Sequence, residues 1–95
     1  LQAVLIGTGL WGMENKTAPG KRLDIDMYAE GHKVRSAPKL PLNLLDALRN
    51  FKQNRILRGI LGEDFADSYY KLKMDEWNQY MQHFSEWERL NALDV

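Results

Sequence analysis

The strongest hydrophobic pattern in the sequence runs from Glu63 to Gln82 and predicts one long helix. Its first row recurs at alternating steps of four and three residues, as positions on one helical face do: Ala66, Tyr70, Met74, Trp77, Met81 and Phe84. A second row lies beside it: Phe65, Tyr69 and Leu72. We expect the first row to pack on the neighbouring helices, including the N-terminal one, and the second row to meet a domain or subunit absent from this chain.

Two shorter helices are predicted before the long one, and each has a capping signal. Asn43 can cap a helix over residues 44–51, and Asp46 stands where a carboxylate can reach back to the cap. Asn54 can cap a second helix, Arg55 to Leu61. The inward residues would be Leu44, Leu45, Leu48, Phe51, Ile56, Leu57, Ile60 and Leu61. Both helices therefore present an apolar face to the long helix.

Residues typical of helix ends and helix caps also mark where the long helix and the last helix begin. Gly62 is typical of a helix end at positive φ, and Glu63 and Asp64 put negative charge at the positive end of the next helix. Ser85 and Glu88 have the spacing of a capping box. A final helix is expected from there to the end of the chain, carrying Trp87, Leu90 and Leu93. So many apolar residues in a short tail predict that it packs on something.

The N-terminal stretch permits two interpretations. Residues 3–12 form an apolar run that ends in Gly-x-Gly-x-x-Gly, the dinucleotide-binding fingerprint, with Asp26 downstream. That motif needs a helix starting at the glycines, which Asn15 and the Pro19-Gly20 pair would stop within a turn or two. We therefore favour a helix over residues 1–14. Its inward residues would be Val4, Leu5, Thr8, Leu10 and Trp11, with close backbone contact permitted at Gly7, Gly9 and Gly12.

Residues 15–41 read as a long irregular loop, because prolines and glycines interrupt every pattern in them. An alternation of apolar and polar residues at Leu23, Ile25 and Met27 permits a short strand or an extended arm. A basic cluster follows, and we interpret it as a solvated loop: His32, Lys33, Arg35 and Lys39. A loop of this length is usually functional or packed against another part of the protein.

Composition and charge limit the classes of function. The 95 residues carry no net charge and no cysteine, which excludes a disulfide framework and a cysteine-based site. Residues 15–62 carry a net charge of +6 and residues 63–95 a net charge of −5. This split favours contacts within the chain or between subunits over nucleic-acid binding. No stretch is long and apolar enough for a membrane span, and the apolar start has no charged segment before it, as a signal peptide would. The missing Met and the uncapped apolar start lead us to expect the C-terminal piece of a longer protein.

No set of residues predicts catalysis. His83 with Glu76 or Glu86 could be drawn as a metal site, but such sites need three or four convergent ligands. Asp75 and Glu76 fall on different helical faces, so they do not form an acid pair, and no nucleophile motif is present. We therefore predict no catalytic, cofactor-binding or metal-ligating residue in this chain.

Several segments nevertheless resemble the C-terminal end of the glutamine synthetase catalytic domain. They are Gly9–Lys16 with the Pro19-Gly20 pair, Asp24–Tyr28, Pro41–Leu48, Leu61–Phe65 with Tyr69, Glu76-Trp77, and Ser85–Arg89. The tail is more similar to the type III or glutamine-synthetase-like branch, which includes γ-glutamyl-amine ligases. The patterns predict an all-α chain of about five helices, with a helix at 1–14, a loop at 15–41 and a helical tail at 42–95. The resemblance implies that this chain is a fragment of a larger α+β catalytic domain.

What the family does sets the expected function. The resemblance implies ATP-dependent ligation of glutamate to ammonia or a small amine through a γ-glutamyl phosphate, with Mg²⁺ or Mn²⁺, in a cytoplasmic ring-shaped homo-oligomer. The family's metal ligands and substrate-binding arginines belong to motifs upstream of Leu1, so this fragment alone is expected to be inactive. The alternative is a stand-alone helical module that binds a partner helix through Trp77 and Trp87.

One residue matches a regulatory position of the family. In some bacterial members the tyrosine at the position of Tyr28 is adenylylated, which makes Tyr28 a candidate modification site. Its surroundings, Asp-Met-Tyr-Ala-Glu, lack the Asn-Leu-Tyr-Asp-Leu pattern of the regulated enzymes. An ordinary exposed loop tyrosine is the default interpretation.

Overall fold

The computed structural model describes residues 1–92, and all regular structure in that range is helical. The helices are α1 (Gln2–Glu14), α2 (Met27–Glu30), α3 (Leu44–Gln53), α4 (Arg55–Leu61), α5 (Glu63–Gln82) and α6 (Glu86–Asn91), with a single 3₁₀ turn at Gly31–Lys33. The predicted all-α class is confirmed. In this range no helix combines the length and the apolarity that crossing a membrane requires.

The predicted caps of α3 and α4 are confirmed. Asn43 Oδ1 accepts from the Asp46 N–H at 2.9 Å, and Asn54 Oδ1 accepts from the Leu57 N–H at 3.0 Å. The expectation that the Asp46 side chain reaches back to its cap is wrong, because that carboxylate instead pairs with Arg49 at 3.3 Å. Each asparagine satisfies one of the amide donors that a helix N-terminus leaves unpaired.

The core lies where α5 crosses α3 and α4. Leu48 is buried on α3 and Ala66 on α5. Farther along α5, Tyr70, Met74 and Trp77 are half-buried. The predicted row does not stay covered, since Met81 and Phe84 are exposed. The reason is length. Both helices rise about 1.5 Å per residue, so α5 is about twice as long as α3 and its C-terminal part extends beyond it.

The dinucleotide-binding alternative is wrong, because residues 2–14 form a single helix, α1, that continues through the glycines. It packs on α4, and among the described helices its backbone approaches no other, so the expected packing of α5 on α1 is wrong. The contact is made at Gly7, where a Cβ would lie 3.3 Å from Ile60 Cβ and would overlap the Ile60 methyl group. Gly9 and Gly12 face open space, contrary to expectation.

The apolar residues of α1 are not buried as expected. Val4 is half-buried, whereas Leu5, Leu10 and Trp11 are exposed. Thr8 turns its hydroxyl onto its own helix, donating to the Val4 carbonyl at 2.7 Å. Apolar residues surround this helix on every side, so only the strip around Gly7 meets α4 and the remaining faces stay open.

The connection from α1 to α3 contains a turn of helix where an extended arm was expected. Asp26 caps α2, its Oδ1 accepting from the Tyr28 N–H at 2.9 Å, so Met27 begins a helix and does not end a strand. Leu23 and Ile25 are exposed. The alternation of apolar residues was therefore misleading, and the local cap at Asp26 decides the conformation.

The last helix begins as predicted. Ser85 Oγ accepts from the Glu88 N–H at 3.2 Å, and the Ser85 N–H donates to Glu88 Oε2 at 2.8 Å, which completes the capping box. The rest of the predicted helix, Leu93–Val95, lies outside the described residues.

The whole arrangement is elongated, and most of its large apolar side chains are exposed. The radius of gyration is 18.3 Å, whereas a compact domain of this length has about 12 Å. Apart from Leu48 and Ala66, no hydrophobic residue in the described range is fully buried. The helices therefore leave broad apolar surfaces available for contacts with other parts of a protein.

Candidate functional site

An apolar groove is bounded by α1, α3, α4 and α5, and we call it the aromatic groove. It has a volume of about 400 Å³. Its lining is Leu1, Ala3, Val4, Phe51, Leu57, Leu61, Phe65 and Tyr69. Apart from the hydroxyl group of Tyr69, the lining side chains are apolar, so the groove suits an apolar occupant.

Three aromatic rings form one wall of this groove. Phe65 and Tyr69 lie one turn apart on α5 and stack with a centroid distance of 6.2 Å and an interplanar angle of 12°. Phe51 of α3 meets Tyr69 edge to face at 5.9 Å. Phe65 remains 58% exposed and Tyr69 41% exposed. The stacking fixes both rings in place while leaving their outer surfaces uncovered.

Leu72, the third member of the second row, is also 58% exposed. The expectation that this row is not covered within the chain agrees with the structure. The groove itself could not be seen in the sequence, because Leu1, Phe51 and Phe65 come from helices that no local pattern brings together.

A charged cluster holds the junction of α4 and α5. The Arg58 guanidinium binds the carboxylates of Glu63 and Asp67, the latter at 2.7 Å. Hydrogen bonding from Arg58 lowers the pKa of Asp67, and the two carboxylates raise the pKa of Arg58. These pairs join the basic middle of the chain to its acidic end, as the charge split predicted for contacts within the chain.

A second paired charge lies on the α5 edge of the groove. Lys73 Nζ donates to both oxygens of Glu76 at 2.7 and 2.8 Å, and it stands 5.9 Å from the Tyr69 ring centroid. The hydrogen bond with Glu76 raises the pKa of Lys73. The charge of Lys73 is therefore already paired within this chain.

A separate apolar surface lies at the far end of α5 and on α6, and we call it the tail surface. It consists of Trp77, Tyr80, Met81 and Trp87. Trp77 is half-buried and Trp87 is 70% exposed. Tyr80, which the sequence prediction left out, lies 5.6 Å from the Trp77 ring and lines a hollow of about 340 Å³ with Trp87. Its spacing of three residues from Trp77 was the signal that could have identified it.

Tyr28 is fully exposed on the first turn of α2, apart from both apolar surfaces. Asp26 organises the backbone on which it stands. In the basic cluster next to it, Lys33 pairs with Glu30 at 2.6 Å. The structure shows where Tyr28 lies, and its modification stays a prediction.

The residues considered for metal binding are not gathered into a site. Within residues 1–92, no three histidine, aspartate or glutamate side chains are placed to share a metal ion. His83 lies in the hollow beside Trp87 with Ser85 and Glu88. The Glu88 carboxylate is occupied by the cap, and hydrogen bonding from the Ser85 N–H lowers its pKa.

Comparison with known proteins places these helices in a family. Residues 1–92 match the family described as glutamine synthetase, catalytic domain. The glutamine synthetase of Rhizobium meliloti is 54% identical over the whole chain, and the glutamate–methylamine ligase of Methyloversatilis universalis is 34% identical over 97% of it. A solved structure described as apo GmaS without ligand superposes with a TM-score of 0.89 at 47% identity, covering 98% of the chain.

The chain spans only about a fifth of these proteins: 22% of the Rhizobium meliloti enzyme, 21% of the methylamine ligase and 22% of the GmaS structure. The similarity nevertheless extends over every helix described above. The chain belongs to the glutamine synthetase catalytic-domain family.

Proposed function

We propose that this chain is the C-terminal segment of an ATP-dependent ligase that joins glutamate to ammonia or to a small amine. The observation that carries the proposal is the family match over residues 1–92. Relatives with both acceptor types support it, since one is named a glutamine synthetase and another a glutamate–methylamine ligase. Whichever acceptor is used, the shared chemistry is an amide bond formed on the γ-carboxylate of glutamate.

The role we assign to this segment is scaffold and oligomer contact. In the intact enzyme, ATP and Mg²⁺ or Mn²⁺ would supply phosphoryl transfer to the glutamate carboxylate. The described residues do not fit such a centre, because no three metal-binding side chains converge among them. We therefore derive no catalytic step from this chain. Its contribution lies in the aromatic groove and the tail surface, whose exposed apolar side chains need partners.

The assembly and location follow from the same proposal. A cytoplasmic homo-oligomer would bring the tail surface of one subunit against another, and removal of Trp87 and Tyr80 from water would stabilise that contact. The exposure of Trp87 supports this assignment.

A second candidate function is a stand-alone module that binds a partner helix. The observation that favours it is the same tail surface, where Tyr80 lines two neighbouring hollows, one with Trp77 and the other with Trp87. Helix-in-groove recognition uses surfaces of this kind. The two functions differ in one respect: the module would bind its partner without the rest of a ligase.

The test is an exchange chimera, in which residues 1–95 replace the aligned segment of the Rhizobium meliloti glutamine synthetase. We expect a soluble oligomer that forms glutamine from glutamate, ammonia and ATP, with release of phosphate. Methylamine in place of ammonia compares the two acceptors. An inactive chimera that is folded and has the parent's oligomeric mass would count against the proposed function.

The 95-residue chain by itself provides the complementary measurement. We expect no glutamate-dependent hydrolysis of ATP above a blank without protein. Measurable turnover by the isolated chain would show that catalytic groups lie within it and would overturn the scaffold role.

A further inference from the structure

We draw no further inference here: the strongest candidate, the hollow between α5 and α6 lined by Tyr80, His83 and Trp87, belongs to the tail surface already described, and nothing in the described residues shows what covers it.

Discussion

Gly7 of α1 lies directly against the side chain of Ile60 in α4, and the two helices meet at this point because position 7 has no Cβ. Ile60 cannot turn away easily, since a β-branched side chain in a helix is held to one favoured rotamer. The contact fixes where α1 rests on the rest of the chain, and through Leu1 and Val4 it fixes one wall of the aromatic groove.

Replacing Gly7 should therefore be costly in a way that replacing its neighbour is not. In the exchange chimera we expect Gly7→Ala to lower the free energy of unfolding by about 1–3 kcal/mol, measured by urea denaturation. Gly9→Ala is the matched control: it faces open space and should gain about 0.5–1 kcal/mol from helix propensity. Adding Ile60→Ala should relieve the Gly7→Ala clash, and equal effects of the two glycine variants would contradict the contact.

Gly62 should resist substitution for a different reason, its backbone conformation. Its φ of +87° joins α4 to α5 without an intervening loop, and a side chain there is strained. We expect Gly62→Ala to destabilise the chimera by about 1–3 kcal/mol. Gly59→Ala, in the middle of α4 with open space around it, should not destabilise. Thermal unfolding of both variants distinguishes strain from loss of glycine as such.

The Arg58–Asp67 pair should make stability depend on acidity. Because the folded pKa of Asp67 is lowered, its contribution is present above the ordinary aspartate pKa of about 3.9 and is lost as pH falls through the lowered value. We expect Asp67→Asn to be less stable at neutral pH and to show a weaker acid dependence.

A double-mutant cycle with Arg58→Met is the check on this pair. In the Arg58→Met background the Asp67→Asn change should have a much smaller effect, because the guanidinium that lowers the pKa is gone. If the two changes act independently, the pKa shift of Asp67 has another source.

The capping box at Ser85 should control the order of α6. Ser85→Ala removes the acceptor for the Glu88 N–H and should cost about 1 kcal/mol of local stability. Hydrogen exchange of the α6 amides in the chimera would report it. Ser85→Gly should cost only a few tenths of a kcal/mol. Unchanged exchange in the alanine variant would mean that α6 is held by contacts other than its cap.

The tail surface should contribute to assembly. Trp87 is a large exposed aromatic residue, and truncating such an anchor in an interface costs about 2 kcal/mol or more. We expect Trp87→Ala to raise the subunit dissociation constant of the chimera by at least ~30-fold, measured by light scattering over a dilution series. Asn78→Asp, on α5 outside the tail surface, is the control. An unchanged constant for Trp87→Ala would remove the tail surface from the interface.

The sequence predicted those parts of the fold that local signals control. Asn43, Asn54, Gly62 and Ser85 act on atoms within a few residues, so their effects could be read without knowing the tertiary structure. The turn of α2 was missed, although Asp26 carried the same type of capping signal. The sequence prediction gave more weight to the short alternation of apolar residues before Tyr28, which forms no strand in the described structure.

Features that depend on the meeting of distant helices could not be predicted. Gly7, Gly9 and Gly12 look alike in the sequence, and only the position of Ile60 separates the first from the others. The covered part of α5 ends near Trp77 because α3 begins there, with Asn43 and Leu44 beside Trp77, and the pattern on α5 does not reveal this. The aromatic groove combines residues from four helices for the same reason.

The open aromatic groove also has a consequence for the fate of the chain in a cell. Its Phe65 and Tyr69, 58% and 41% exposed, resemble the apolar surface that chaperones and proteases encounter on incompletely folded proteins. With these side chains in water, the chain would carry its own signal for degradation. Its half-life would then report whether the groove is covered in a longer protein or an assembly.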